Sequence, residues 1–207
     1  MWQKYIDGQY RQPTGLIGRW IGSRMAQQHR PENQWTVNLL DVQPIDHILE
    51  VGFGPGIAIH EVARRAAFVG GVDFSRAMLT SASKRNASAI REGMVDLRLG
   101  DAARLPFADA SFDKAYSIHS IYFWRYPLLV LGEIRRVLKP GGWLILTVLP
   151  KDLWNLDDPD SAGTPDCTPY SGGELKTMLT KIAFADLTIA SDPRREFPAN
   201  FSVIACR

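Results

Sequence analysis

The sequence is short of cysteine, of excess charge and of long apolar runs, and each shortage argues against a class of protein. Its two cysteines, Cys167 and Cys206, have neither zinc-site nor redox-motif spacing. The formal net charge of +2, with basic residues scattered among acidic ones, argues against a nucleic-acid-binding surface. The longest apolar run, "WLILTVL", is too short to cross a bilayer, and the N-terminus lacks a signal-peptide core. We therefore expect a cytoplasmic protein with no nucleic-acid partner, no metal and no stable membrane insertion.

From about residue 46 onward, short apolar runs alternate with stretches of helical periodicity. Seven runs are typical of strands: "HILEVG", "AFVGGVDF", "VDLRLGD", "SFDKAYSIHS", "GWLILTVLP", "DLTIAS" and "NFSVIACR". The last two follow each other without a helix between them. This order predicts an α/β, Rossmann-like fold with helices on both faces of a doubly wound, mostly parallel, seven-stranded sheet that has one antiparallel strand.

Two of the helices have clear sequence limits. The first follows the glycine-rich turn and is predicted from Ile57 to about Ala66. In "LLVLGEIRRVL", Leu131, Ile134 and Leu138 share one helical face, and the "KPGG" that follows is a strong helix terminator.

Residues 1–45 stand outside the strand–helix alternation and are predicted to be helical. Because the ligand crevice of such a sheet is open at the carboxyl ends of its strands, we expect this segment to form a cap or lid over residues 46–207. The alternative is a helical cap that packs permanently on the side of the sheet. The aromatic residues expected to roof the ligand pocket are Tyr5, Tyr10 and Trp20.

The stretch "ILEVGFGPGIAI" combines a buried-type strand with a carboxylate and three glycines. A glycine turn after the first strand of such a sheet is where ligands bind, although tight turns also use glycine for steric reasons. Ile57 stands where a dinucleotide fingerprint requires its third glycine. Glu50 is expensive to bury without a cationic partner, so it either meets a cation or caps the following helix.

Two further acids follow the next two strands, Asp73 in "GVDFS" and Asp101 in "LGDAARLPF". A carboxylate after the second strand can bind both hydroxyls of a ribose, and one after the third can accept from an adenine amino group. Three acids around one crevice suit a ligand with an amino group, a ribose and an adenine. Each has a structural alternative, since Asp73 can cap its helix and Asp101 can open a turn.

Four segments in linked order resemble the class I S-adenosylmethionine-dependent methyltransferases, especially those acting on quinones, sterols and small natural products. They are "ILEVGFGPG", "GVDFS", "GDAARLPFADASFDKAYS" and "RVLKPGGWLIL", within about residues 46–150. The resemblance implies a methyltransferase with S-adenosylmethionine as cofactor and S-adenosylhomocysteine as product. It assigns the methionine part to Glu50, Gly52, Gly54 and Gly56, the ribose to Asp73, and the adenine to Phe74, Asp101 and Ala102.

The segment "SIHSIYFWRYP" is expected beside the reactive methyl group. His119 is the candidate catalytic residue, as a base or a group that orients the acceptor; the alternative is a histidine bonded to the backbone near the cofactor carboxylate. The pocket is predicted to include Tyr122, Trp124 and Arg125. The segment lacks the Asn/Asp-Pro-Pro-aromatic tetrad of amino-methylating DNA enzymes. With the many N-terminal aromatics, this favours a small, apolar or aromatic acceptor.

Two other functions stay open at this point. A nicotinamide-dependent oxidoreductase shares the fold and the ribose-binding acid, but Ile57 and Glu50 count against it. A non-catalytic cofactor-binding protein is the second alternative. The identity of the acceptor and the oligomeric state do not follow from the sequence.

Overall fold

The computed structural model describes residues 30–154, 167–193 and 200–207. Within these ranges strands and helices alternate along the chain. The strands are β1 (His47–Val51), β2 (Phe68–Asp73), β3 (Val95–Leu99), β4 (Phe112–Ile118), β5 (Leu138–Val148), β6 (Ala185–Ser191) and β7 (Phe201–Cys206). The helices are α1 (Arg30–Leu39), α2 (Ile57–Val62), α3 (Arg76–Arg85), α4 (Ala87–Arg91), α5 (Pro127–Val137) and α6 (Gly172–Lys181).

All seven strands of the described ranges form one sheet, in the order β3-β2-β1-β4-β5-β7-β6. The first five pair in parallel, whereas β7 is antiparallel to both of its neighbours, β5 and β6. β6 therefore points the same way as the first five strands, which confirms the prediction of one antiparallel strand. Strand order reverses between β1 and β4, and a sheet of this type has its ligand crevice at that reversal.

Two helices end earlier than the sequence pattern predicts. Leu138, expected on the apolar face of α5, is instead the first residue of β5, where it is equally buried. α2 ends at Val62 rather than near Ala66. The chain must turn there to reach β2, and the Ala67 N–H bonds at 3.0 Å to a carbonyl on the loop before β1. Both differences arise from the connection to the next strand.

The sheet is buried between two apolar layers. On one face lie α5 and α6, which contribute Leu131 and Leu175 to the core. On the other face lie α1, α2 and α3, which contribute Val37, Ile59 and Ala82. Both faces are thus covered by helices, as predicted, and the carboxyl ends of the parallel strands are left for ligand binding.

Helix α1 is the described part of the predicted N-terminal cap. It packs on the sheet, with Val37 fully buried and the hydroxyl of Thr36 lying 2.7 Å from that of Thr147 on β5. Residues 1–29 lie outside the described part of the chain, so a lid formed by them stays a prediction. The same holds for the expected roof residues Tyr5, Tyr10 and Trp20.

Neither a metal site nor a membrane span is found in the ranges that the structure describes. No group of three or more metal-binding side chains there is close enough to hold an ion. No helix there has the length and apolar character needed to cross a bilayer.

Candidate functional site

A cleft of about 480 Å³ opens at the carboxyl ends of β1, β2 and β4, where the strand order reverses. Of the predicted site residues, ten line it: Glu50, Gly52, Gly54, Asp73, Phe74, Asp101, Ala102, His119, Trp124 and Arg125. Gly56, the last glycine of the turn, does not line the cleft and is the N-cap of α2. Tyr122 is buried, with its hydroxyl against the His119 ring rather than on the cleft wall. The cleft therefore brings together most of the predicted cofactor and acceptor residues.

The three positions of the turn are glycine for different structural reasons. All three have a positive φ, between +50° and +79°. A Cβ at Gly52 would lie 2.4 Å from the Cβ of Ser120, and one at Gly56 would lie 2.7 Å from that of Ala82, so both positions require glycine for packing. A Cβ at Gly54 would have no atom within 4 Å. Gly54 is therefore where a ligand can approach the backbone of the turn.

Glu50 is buried at the end of β1, with 3% of its surface exposed. Its cross-strand neighbour on β4, Tyr116, donates a hydrogen bond from its hydroxyl to the Glu50 carboxyl group at 2.8 Å. Burial raises the pKa of Glu50 to about 8, because the Tyr116 bond offsets only part of the loss of solvation. At pH 7 the carboxyl group of the free protein is mainly neutral.

Asp73 connects the end of β2 to the glycine turn. Its two oxygens accept hydrogen bonds from the Gly54 and Ser75 N–H groups, both at 2.8 Å. Burial raises the pKa of Asp73 to about 6, although both bonds favour the ionised form. The cap of α3 is Ser75, whose hydroxyl accepts a hydrogen bond from the Met78 N–H at 3.3 Å. Asp73 is therefore not the helix cap, and its carboxylate borders the cleft.

Phe74 and Asp101 form the end of the cleft nearest β3. The Phe74 side chain is 42% exposed, which is unusual for a large apolar residue next to a buried strand. Asp101 accepts a hydrogen bond from the Ala103 N–H at 2.9 Å and caps the short 3-10 helix Ala102–Arg104. Asp101 therefore does open a turn, as the structural alternative predicted. It uses one carboxylate oxygen, Oδ1.

His119 follows β4 and has a left-handed backbone, with φ of +52°. Its Nδ1 lies 3.2 Å from the hydroxyl of Tyr122, which itself accepts a hydrogen bond from the Leu149 N–H. The phenol proton is therefore available to donate to Nδ1, which then acts as an acceptor. In the neutral ring this arrangement puts the imidazole proton on Nε2.

Beyond His119 the cleft wall is mainly aromatic and apolar. Phe123, Trp124 and Tyr126 line it, and the guanidinium of Arg125 lies 5.3 Å from the centre of the Tyr126 ring. Tyr126 is 53% exposed. This end of the cleft is suited to a flat or apolar molecule, with one positive charge at its edge.

Besides Phe123 and Tyr126 of the aromatic wall, three residues that shape the site were not predicted from the sequence. Tyr116 binds Glu50, Ser120 packs against Gly52 while its hydroxyl bonds to the Val51 carbonyl at 2.9 Å, and Asn33 of α1 lines the cleft. For Ser120 the sequence carries a weak signal, because a tight glycine turn requires a small residue opposite it. For the other two, no local pattern shows which residue faces the cleft.

Comparisons with known proteins agree with this geometry. A family profile described as a methyltransferase domain matches residues 49–146. An uncharacterised methyltransferase, YdaC, from Bacillus subtilis (strain 168) is 31% identical over 170 residues, which cover 81% of this chain and 87% of the relative. The O-methyltransferase resE from Aspergillus sclerotiorum is 36% identical over 144 residues, 67% of this chain and 54% of that protein.

The fold is also found among solved structures. A crystal structure of an S-adenosylmethionine-dependent methyltransferase from Aquifex aeolicus superposes with a TM-score of 0.67, covering 89% of this chain and 97% of that one. Sequence identity is 18%, so this likeness concerns the fold alone. The chain spans most of the Bacillus relative but only about half of the Aspergillus protein.

Proposed function

The chain belongs to the class I S-adenosylmethionine-dependent methyltransferases, and we propose that it methylates a small, apolar or aromatic molecule bound against the aromatic end of the cleft. The observation that carries the proposal is the arrangement of the cleft. Its three acids and open glycine turn lie at one end, and Phe123, Trp124 and Tyr126 lie at the other, with His119 between them. When bound, the cofactor supplies an electrophilic methyl group on its sulfonium.

We propose that the cofactor residues act as the family resemblance implies. Gly52 and Gly54 shape the turn against which the methionine part rests, and Glu50 binds its ammonium group. The fit is supported by the open space above Gly54 and by the burial of Glu50, which has no ion pair among the described residues. Asp73, fixed by two backbone bonds, keeps lone pairs for the ribose hydroxyls.

We assign the adenine to the opposite end of the cofactor site. The exposed ring of Phe74 offers a stacking surface, and Asp101 has one oxygen, Oδ1, bonded within its own turn and a second oxygen to accept from the amino group. The backbone of Ala102 completes this wall.

The nicotinamide alternative fits the same cleft less well. A pyrophosphate at the glycine turn would lie close to the carboxyl groups of Glu50 and Asp73. Ile57 still replaces the third glycine of the dinucleotide fingerprint. The carboxyl groups favour a ligand that is cationic, rather than anionic, at this turn, and Ile57 counts against a dinucleotide.

Methyl transfer from a sulfonium is a direct displacement, so the protein mainly aligns the acceptor and excludes water. We propose that His119 faces the acceptor. Because the Tyr122 hydroxyl can donate to Nδ1, the neutral ring carries its proton on Nε2, which is buried in the ligand-free protein and would donate to an acceptor brought against it. This supports the orienting role over that of a base.

We further propose a small-molecule acceptor rather than a nucleic acid, and a cytoplasmic location. The net charge of +2 and the mixed distribution of charges support the first proposal. The two cysteines without motif spacing are compatible with a reducing compartment.

The function is tested with the full chain and S-adenosylmethionine labelled on its methyl group. We expect label to appear in small phenolic or other aromatic acceptors from a metabolite panel, and not in added DNA or protein. S-adenosylhomocysteine should raise the melting temperature, and NAD should not. Stabilisation by NAD, without stabilisation by S-adenosylhomocysteine, would instead support the oxidoreductase.

Replacing Trp124 with alanine is expected to raise KM for the acceptor about tenfold, because an aromatic contact of the pocket is removed. The affinity for S-adenosylhomocysteine should not change, since Trp124 lies beyond the proposed cofactor residues. Steady-state kinetics and calorimetry measure the two effects. Trp143→Ala is the matched control, because Trp143 is also partly exposed but lies on β5 before the carboxyl end of the strand and does not line the cleft. Equal effects of the two substitutions would remove Trp124 from the acceptor site.

A further inference from the structure

The pairing of β1 with β4 places a tyrosine beside the acid of the glycine turn. Glu50 and Tyr116 are register partners on the sheet face that α1 and α2 cover. Tyr116 is fully buried, and its hydroxyl donates to Oε2 of Glu50 at 2.8 Å. A phenol in this position fixes the carboxyl group without neutralising a charge.

The groups that face Glu50 provide no positive charge in the described part of the chain. From β4 comes the Tyr116 hydroxyl, from β2 the Asp73 carboxyl group, and from α2 the backbone N–H of Ile59. Burial, with a smaller contribution from the Asp73 charge, disfavours ionisation of Glu50 and raises its pKa to about 8. Glu50 nevertheless lines the cleft. It is therefore a neutral acid at a site proposed for an ammonium group.

We propose that Tyr116 is a positioning residue for the cofactor, holding the neutral Glu50 acid in the free protein, and that the cofactor ammonium displaces the Glu50 proton on binding. This inference rests on the proposed function, because it places the ammonium at Glu50. In the free protein the Glu50 carboxyl group carries the acid proton and accepts a hydrogen bond from the Tyr116 hydroxyl at Oε2. On binding, that proton passes to solvent, and the resulting carboxylate pairs with the ammonium, which keeps its three protons.

Proton release is measurable with the full chain by calorimetry at pH 7. S-adenosylhomocysteine is titrated in phosphate and in Tris, whose enthalpies of ionisation differ. We expect release of about one proton per bound ligand, because an acid with a pKa near 8 is mainly protonated at this pH. 5′-Methylthioadenosine, which lacks the amino-acid part, should bind without releasing a proton. Glu50→Gln should bind S-adenosylhomocysteine weakly and release none.

Tyr116→Phe tests the positioning role. The hydrogen bond from the phenol favours the ionised carboxylate. Its loss should therefore lower the affinity for S-adenosylhomocysteine about tenfold at pH 7. The difference in affinity between Tyr116→Phe and the wild-type protein should become smaller toward pH 8.5, where a larger fraction of the carboxyl group is ionised. Affinity for 5′-methylthioadenosine, which reports an intact fold and adenosine site, should stay unchanged. A loss of the same size at every pH, or an equal loss for both ligands, would show a purely structural tyrosine.

The failure of this inference is distinguishable from failure of the proposed function. If S-adenosylhomocysteine binds the wild-type protein with the same enthalpy in both buffers, proton displacement is wrong and the methyltransferase site stands. If neither S-adenosylhomocysteine nor 5′-methylthioadenosine binds, the proposed cofactor site itself is wrong.

Discussion

Replacing Glu50 with glutamine is expected to lower the affinity for S-adenosylhomocysteine by about a hundredfold. The same substitution should stabilise the ligand-free protein at alkaline pH. The loss of affinity follows from removing a buried, charge-assisted contact with the ammonium group, while the amide keeps nearly the same shape. The gain in stability has a different origin, which lies in the free protein. Calorimetry measures the first effect and thermal melting the second.

The sign of the stability effect follows from the direction of the Glu50 pKa shift. Burial raises this pKa from 4.5 to about 8, so between these values the native state keeps a proton that the unfolded state has released. The free energy of unfolding therefore falls as the pH rises from about 4.5 to about 8. Because glutamine cannot ionise, its side chain causes no such fall in the free energy of unfolding of Glu50→Gln. Asp73, whose pKa is also raised, adds its own pH dependence to both proteins, and its charge adds to the destabilisation that ionised Glu50 causes in the wild type alone.

Melting curves at pH 5 and pH 9 check this prediction. Near pH 5 the wild-type protein and Glu50→Gln should melt within a few degrees of each other, and at pH 9 the variant should melt higher. Glu133→Gln is the matched control, because an ion pair with Arg136 at 2.8 Å lowers the pKa of Glu133. That variant should lose stability at neutral pH and bind S-adenosylhomocysteine normally. A Glu50→Gln protein that is less stable at pH 9 would contradict the neutral-acid interpretation.

The sheet was predictable because the sequence pattern of each strand is local and recurs along the chain. Each strand has its own apolar run, and the direct step from "DLTIAS" to "NFSVIACR" signals the antiparallel strand β7. The glycine turn, Glu50 and Asp73 at the ends of β1 and β2, and Asp101 just after β3 were predictable for the same reason, since each lies at a recognisable strand end.

What the sequence did not show depends on strand register and on side-chain direction. Tyr116 faces Glu50 only because β4 pairs with β1 in one register, and a shift of one residue would turn it to the other face. Tyr122 was expected on the pocket wall, but the short 3-10 helix after β4 turns it into the core beneath His119. Sequence spacing alone does not decide either outcome.

Replacing His119 with asparagine is expected to lower turnover about a hundredfold and leave the affinity for S-adenosylhomocysteine nearly unchanged. Asparagine tolerates the left-handed backbone of this position, where φ is +52°, so the fold should be kept. Its short amide does not extend to the position of Nε2, from which His119 is proposed to bind the acceptor. Single-turnover rates and calorimetry separate the two quantities. A variant that mainly loses cofactor affinity would place His119 in the cofactor site instead.

His119→Gln then distinguishes an orienting group from a base. Glutamine carries a donor amide close to the position of Nε2, so we expect it to retain turnover within about tenfold of wild type if His119 donates a hydrogen bond to the acceptor. The Tyr122 hydroxyl already donates to Nδ1, so the neutral ring has no free lone pair for a proton without losing this bond or changing tautomer. The wild-type rate should therefore show no acidic limb from this histidine, because imidazole and imidazolium both donate from Nε2. An acidic limb that disappears in His119→Gln, together with a loss as large as in His119→Asn, would instead identify His119 as the base that deprotonates the acceptor.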